Sequence, residues 1–188
     1  LESVGVIPDV NARGTAIDTA SGNGFVSSSP VVMFDTKTLA VKKKIDVQGR
    51  PDGILFDPFN ERVWVLSHAA PNVTVINGKD GTVVGTIDLG GQPEQAVTDG
   101  MGHVYIDLED KDAVAAVDAT TMKVTGRYDI SSVGTGPSGL GFDVKNHILF
   151  AFCGGDKKTA VILNSDTGKI ITSLPIGVGV DGGSFNPN

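Results

Sequence analysis

The sequence predicts an all-β chain built from repeated four-stranded modules, and three columns of residues recurring at a shared period carry that prediction. The first column is a turn proline preceded by glycine: Pro51 in "GRPDG", Pro93 in "GQPEQ" and Pro137 in "GPSGL", continued by "GVDGG" around Val180 and Asp181. The second is a polar residue closing an apolar run: Asp35, Asn77, Asp118 and Asn164. The third is the polar end of another run: Asp18, Asp57, Asp99, Asp143 and Asn186. All three repeat every 40–45 residues or so, a period at which an internal repeat decides the fold before any local signal.

Each repeat holds four short runs rich in β-branched or aromatic residues, separated by turn formers. In the first they are "RGTAID", "GFVSS", "VVMFD" and "VKKKIDV"; in the second, "DGILFD", "RVWVLS", "VTVIN" and "TVVGTIDL". The third has "EQAVTD", "HVYIDL", "AVAAVD" and "KVTGRYDI", and the fourth "SGLGFD", "HILFAF", "AVILN" and "KIITSLPI". Asn77-Gly78, Asp80-Gly81 and Asp166-Thr167-Gly168 supply the turns between third and fourth strands, where positive φ is needed. First strands are short and rich in small residues, as strands crowded around an axis must be. Fourth strands carry Lys42, Lys43, Lys44, Lys123, Arg127 and Lys169, the charges that guard an outer edge. Trp64 and Tyr105 occupy equivalent second-strand positions, which points to packing between modules. Four strands per repeat of this length is the blade pattern of a β-propeller.

Blade boundaries follow at 10–47, 48–89, 90–130 and 131–176. Residues 1–9 read as the outer strand of a preceding blade and 177–188 as the first strand of a following one, within a single propeller domain. Three readings of these ends stay open: part of a larger ring, a compact four-bladed ring, or two chains pairing edge to edge.

The order of Gly-x-Pro, a strand ending in Asp, an aromatic second strand, a third strand ending "V-D/N" and then "T-G-K-V-V-G-T-I" resembles the YVTN-type β-propeller repeat family. "NVTVINGKDGTVVGTIDLGGQPEQAV" and "AVILNSDTGKIITSLPIGVGVDGGSF" carry the resemblance best, and it extends over essentially the whole chain. The second strand departs from it, with "VWVLS", "VYIDL" and "LFAFC" in place of Tyr-Val-Thr-Asn. The resemblance implies a seven-bladed ring, a bacterial origin and a periplasmic, cell-surface or secreted location. It also admits lactonase-like enzymes that use a metal ion at the channel mouth.

Composition narrows the function classes. The 188 residues carry a net charge of −7, which disfavours non-specific binding to nucleic acid or anionic lipid, since both need a basic field. No apolar run approaches a membrane span. One cysteine, Cys153, forbids an internal disulfide. The chain opens at Leu1 without a signal-peptide pattern, as a processed or trimmed chain would.

Propellers concentrate function on the face where inter-blade crossovers and second-to-third loops converge. The repeat maps Arg13, Arg50, Asp52, Glu94 and Asp181 to crossovers, and His68, Glu109 and Asp110 to loops on that face. Asp52, Glu94 and Asp181 place a carboxylate at three inner-strand starts, an acidic ring suited to Ca2+ or Mg2+. The simpler alternative is an Asp after Pro capping its own turn, with Arg13 and Arg50 neutralising the ring. The three histidines do not form a metal-ligand set by spacing: His103 and His147 fall at the turn on the opposite face, and His68 stands alone on this one. Two function classes result. The first is a non-catalytic scaffold presenting its rim to a protein, peptide or glycan. The second is a metal-assisted hydrolase or lyase resting on Asp52, Glu94, Asp181 and His68.

Overall fold

A computed structural model describes residues 2, 3 and 5–187. Among them lie sixteen strands in four antiparallel sheets, each formed by four consecutive strands in meander order. The first sheet comprises β1 (Thr15–Asp18), β2 (Asn23–Val26), β3 (Val31–Asp35) and β4 (Val41–Ile45). The second comprises β5 (Pro51–Asp57), β6 (Arg62–Ser67), β7 (Asn72–Asn77) and β8 (Val83–Asp88). The third comprises β9 (Pro93–Thr98), β10 (His103–Leu108), β11 (Ala113–Asp118) and β12 (Lys123–Asp129). The fourth comprises β13 (Pro137–Asp143), β14 (Ile148–Cys153), β15 (Thr159–Asn164) and β16 (Ile170–Pro175). The inner strands β1, β5, β9 and β13 neighbour one another in turn, so the sheets are blades set radially about an axis. The fold is an arc of a β-propeller, open between the first and fourth blades. No helix among the described residues is long and apolar enough to cross a membrane.

Strand alternation is what makes the blades stack. Successive side chains point to opposite faces of a sheet, and in the second blade both faces are apolar. Val63 and Val65 of β6 pack with Phe25, Val31, Met33 and Ile45 of the first blade. Trp64 and Leu66, the intervening residues, pack with Val104, Ile106 and Leu108 of the third. Tyr105 and Val114 of the third then meet Leu140, Leu149 and Val161 of the fourth. The middle strands β6 and β10 are therefore buried from their second residue on, whereas β4, with its three lysines, is exposed until Ile45.

The recurrent polar columns are turn devices. Asp35, Asn77, Asp118 and Asn164 each accept backbone N–H groups two or three residues ahead through the side-chain oxygen, an Asx turn. Four residues further on, Leu39, Gly81, Met122 and Gly168 all have positive φ, and each donates its N–H back to the carbonyl of the column residue at 2.8–2.9 Å. Gly168 is the tightest case. Its φ is +70°, and an added Cβ would clash with the ring of Tyr128, whose hydroxyl donates to the Ser165 carbonyl at 2.7 Å. Gly168→Ala should cost on the order of 1–3 kcal/mol from the left-handed backbone alone, read as a lowered urea midpoint.

The flanking strands expected within 1–9 and 177–188 do not form. Residues 2, 3, 5–9 and 177–187 carry no strand pairing, and residues 1, 4 and 188 lie outside the described set. A strand is held by a ladder, and neither segment forms one with a neighbouring strand. Each instead lies on a blade face. Ile7 and Val10 pack on Val26, Val32 and Phe34 of the first blade. Phe185 stacks on Phe150 of the fourth, with ring centroids 5.8 Å apart.

Candidate functional site

Every second-to-third loop is fastened to the crossover entering its own blade. In the first blade Gly14 N–H donates to Ser27 Oγ (2.8 Å); in the second, Arg50 N–H donates to Ser67 Oγ (3.0 Å) and His68 N–H to the Arg50 carbonyl (3.1 Å). In the third, Glu109 N–H donates to the Gln92 carbonyl (2.9 Å) and Gln92 N–H to Asp110 Oδ1 (2.6 Å). In the fourth, Gly154 N–H donates to the Gly136 carbonyl (3.0 Å). The repeat thus sets crossovers and loops on one face, and they enclose a depression of about 240 Å³ lined by Arg13, Asp52, Glu94, Gln95, Ser138 and Asp181.

Within it, Asp52 is flanked by Arg13 Nη1 (3.3 Å) and Arg50 Nη2 (3.9 Å). Glu94 pairs with His68 through Oε1 and Nδ1. Ligand atoms of Asp52, His68 and Glu94 lie within 4.8 Å of one another. Burial raises the Glu94 carboxyl above its ordinary range, and the fields of Glu109 and Asp52 push the same way against the opposing pull of His68. Asp181 lines the same depression but stands outside this three-residue group. Asp110, on the 3-10 turn Glu109–Lys111, holds Gln92 and Lys111 and closes its loop. Glu109 also raises the Glu94 carboxyl through its charge.

Two residues absent from the sequence-derived set organise the site. Asp107, 0% exposed, accepts from the N–H groups of Glu94 (3.3 Å) and Gln95 (2.6 Å) through Oδ1, where β9 bulges against β10. Its Oδ2 is buried with no hydrogen-bond partner. Burial drives this carboxyl well above its ordinary range. The Gln95 amide clasps three segments. Nε2 donates to the carbonyls of Leu140 (3.3 Å) and Gly183 (2.8 Å), and Oε1 accepts from their N–H groups, both at 3.1 Å. A signal for both existed in the repeat: Asp107 stands where β6 has Leu66 and β14 has Phe152, and Gln95 where β5 has Gly53 and β13 has Gly139.

Chemically, the mouth offers two carboxylates and an imidazole held near two guanidinium groups. That set can hold a cation at Asp52, His68 and Glu94, or meet a ligand carrying both signs of charge. The Ser138 hydroxyl donates to the Val180 carbonyl (3.0 Å). Burial pushes the Cys153 thiol up to about 11, which keeps it protonated and inert at neutral pH.

No protein-family model and no curated protein matches the sequence. Solved structures do. The chain is similar to a hydrazine synthase of Kuenenia stuttgartiensis at TM-score 0.80 and 15% identity, over 94% of this chain and 52% of that one. The blades are those of a β-propeller. A protein of unknown function from Desulfotomaculum acetoxidans is similar to this propeller at TM-score 0.77 and 14% identity, over 92% and 59% of the two chains. BamB from Moraxella catarrhalis is similar at TM-score 0.63 and 16% identity, over 85% and 48%. The chain spans about half the length of these neighbours, and at such identities the likeness is one of fold.

Proposed function

We propose that this propeller is a non-catalytic binding or scaffold module of the bacterial cell envelope or exterior, of the YVTN repeat type and with further blades completing a seven-bladed ring. Its crossover face takes a protein, peptide or glycan. The observation that supports this reading most is the rigidity of that face. Loops are fastened to crossovers blade by blade, and the Gln95 amide ties the third blade to the fourth and to the trailing segment. A rim ordered in advance lowers the entropic cost of binding. Its mixed charges, Arg13 and Arg50 beside Asp52 and His68 beside Glu94, suit a polar partner more than an apolar one. Screening on peptide and glycan arrays should give a saturable ligand whose affinity falls about tenfold or more in Arg13→Ala plus Arg50→Ala, as expected for charge pairs at an interface. Ligands unaffected by that double change would sink the assignment of the face.

The Asp52–His68–Glu94 group supports a second reading, a metal-assisted hydrolase or lyase. Asp52, His68 and Glu94 would hold a divalent ion that polarises a substrate carbonyl, while Arg13 and Arg50 reduce the site's pull on it. Titration with CaCl2 and MgCl2, followed calorimetrically, separates the two. The scaffold reading expects no saturable uptake. One ion bound per chain, lost in Asp52→Ala plus Glu94→Ala and accompanied by lactone hydrolysis, would establish the enzyme.

A further inference from the structure

On the face opposite the crossovers, the third and fourth blades share a cleft of about 230 Å³ whose wall holds two imidazoles, His103 and His147. They come from different blades and are seated alike. His103 Nδ1 lies 2.7 Å from Asp99 Oδ2, and His147 Nδ1 lies 3.0 Å from Asp166 Oδ1. A carboxylate only accepts, so Nδ1 is the donor in each pair, and in the matching tautomer the lone pair stands on Nε2. This carboxylate–imidazole arrangement fixes tautomer and orientation around metal-bound histidines.

The supports are anchored in turn. Asp99, its side chain 9% exposed, also accepts from the N–H groups of Met101 (2.7 Å) and His103 (2.9 Å) through Oδ1, so it cannot swing away from its imidazole without losing two backbone bonds. His147 sits at φ 56° in the β13–β14 turn, and its carbonyl accepts from Ser165 N–H (2.9 Å). That bond brings Asp166 of the β15–β16 turn beside it. The two rings themselves are 55% and 54% exposed and border the cleft. Two carboxylates give the cleft a negative field, and two Nε2 lone pairs give it nitrogen donors.

We propose that this cleft is a binding site for a borderline divalent transition-metal ion of the Cu2+, Zn2+ or Ni2+ class, held by Nε2 of His103 and Nε2 of His147. Imidazole donors select that class over Ca2+ or Mg2+. Two protein donors leave coordination positions to water or to an external ligand. The site is separate from the crossover face and stands whether or not that face binds as proposed.

The test is calorimetric titration of the metal-free 188-residue chain with CuCl2, and with ZnCl2, in a weakly coordinating buffer. One saturable site is expected, with imidazole nitrogen couplings in the electron paramagnetic resonance spectrum of the Cu2+ form. His103→Gln and His147→Gln should each weaken it tenfold or more and together remove it. Asp166→Asn should weaken it about 10–100-fold, the usual effect of losing an orienting carboxylate, with the fold intact by circular dichroism. His68→Gln separates this cleft from the crossover face, because uptake lost with that imidazole would belong to the Asp52, His68 and Glu94 group. Absence of saturable uptake, uptake indifferent to losing one of the two imidazoles, or uptake that follows His68 would each overturn the proposal.

Discussion

Trp64→Ala is expected to lower the stability of the chain by about 3–5 kcal/mol, the usual cost of emptying a large aromatic site in a core. Trp64 is the largest fully buried side chain and is 0% exposed. It lies in the core between the second and third blades, against Leu66, Val75, Val104 and Ile106. Both blades are rigid sheets with ladders on each side, so neither can collapse far into the space left, and a site that relaxes poorly sits at the upper end of the range. Its indole Nε1 is buried without a hydrogen-bond partner. Trp64→Phe therefore removes an unsatisfied donor along with some volume, and it should cost less than half as much. Urea unfolding followed by far-ultraviolet circular dichroism measures both. Trp64 is also the sole tryptophan, so wild-type fluorescence reports this inter-blade core directly. Equal losses for the two variants would mean that the packing account is wrong.

Asp107→Asn is expected to change how stability depends on pH. In an unfolded chain an aspartate titrates near 3.9. In the folded protein burial, with Glu94 and Glu109 adding their charges, holds the Asp107 carboxyl well above that, although the N–H groups of Gln95 and Glu94 pull the other way. The native state therefore binds more protons than the unfolded state across this interval. Stability contributed by the protonated group is complete below about pH 4 and is lost as pH rises toward the folded value. Asparagine does not ionise, and its carbonyl still accepts from both N–H groups. The difference in urea-derived stability between variant and wild type should move in the variant's favour between pH 4 and 7.5. Each unit of upward displacement is worth about 1.4 kcal/mol. Parallel pH curves for the two proteins would refute it. Asp107→Leu, which restores the residue found at the sister position Leu66, should be worse near pH 4, because it strands the Gln95 N–H inside the bulge at a cost of about 1–3 kcal/mol.

The blades were legible in the sequence because propeller strands are local: each pairs with the next run in the chain, and each turn is written in the residues that form it. Asp35, Asn77, Asp118 and Asn164 mark the third-to-fourth turns as plainly in the sequence as in the hydrogen bonds they accept. The crossover face was legible for the same reason, and Arg13, Asp52, Glu94 and Asp181 do line one depression. What spacing does not encode is which side chains from neighbouring blades meet. His68 reaches Glu94 of the next blade, and Asp181 does not join that group. Asp107 and Gln95 were visible only as departures from their columns, a polar residue among Leu66 and Phe152 and a long one among Gly53 and Gly139. His103 and His147 line a common cleft between two blades, and no single repeat specifies what two blades bring together. The end segments carry no strand pairing among the described residues, because a run with strand composition forms a strand only where a neighbour offers a free ladder.

Phe150 of the fourth blade occupies the column of Phe25, Trp64 and Tyr105, yet it is half-buried where those three are shut away. Each of the three is roofed by a whole sheet; Phe150 has a single phenylalanine laid across it. Amide deuterium uptake should therefore run in a gradient, fastest at β16 and β15 and slowest in β6, β7, β10 and β11. For the 188 residues taken alone, opening then starts at β15 and β16, as nearest-neighbour coupling dictates for stacked repeats.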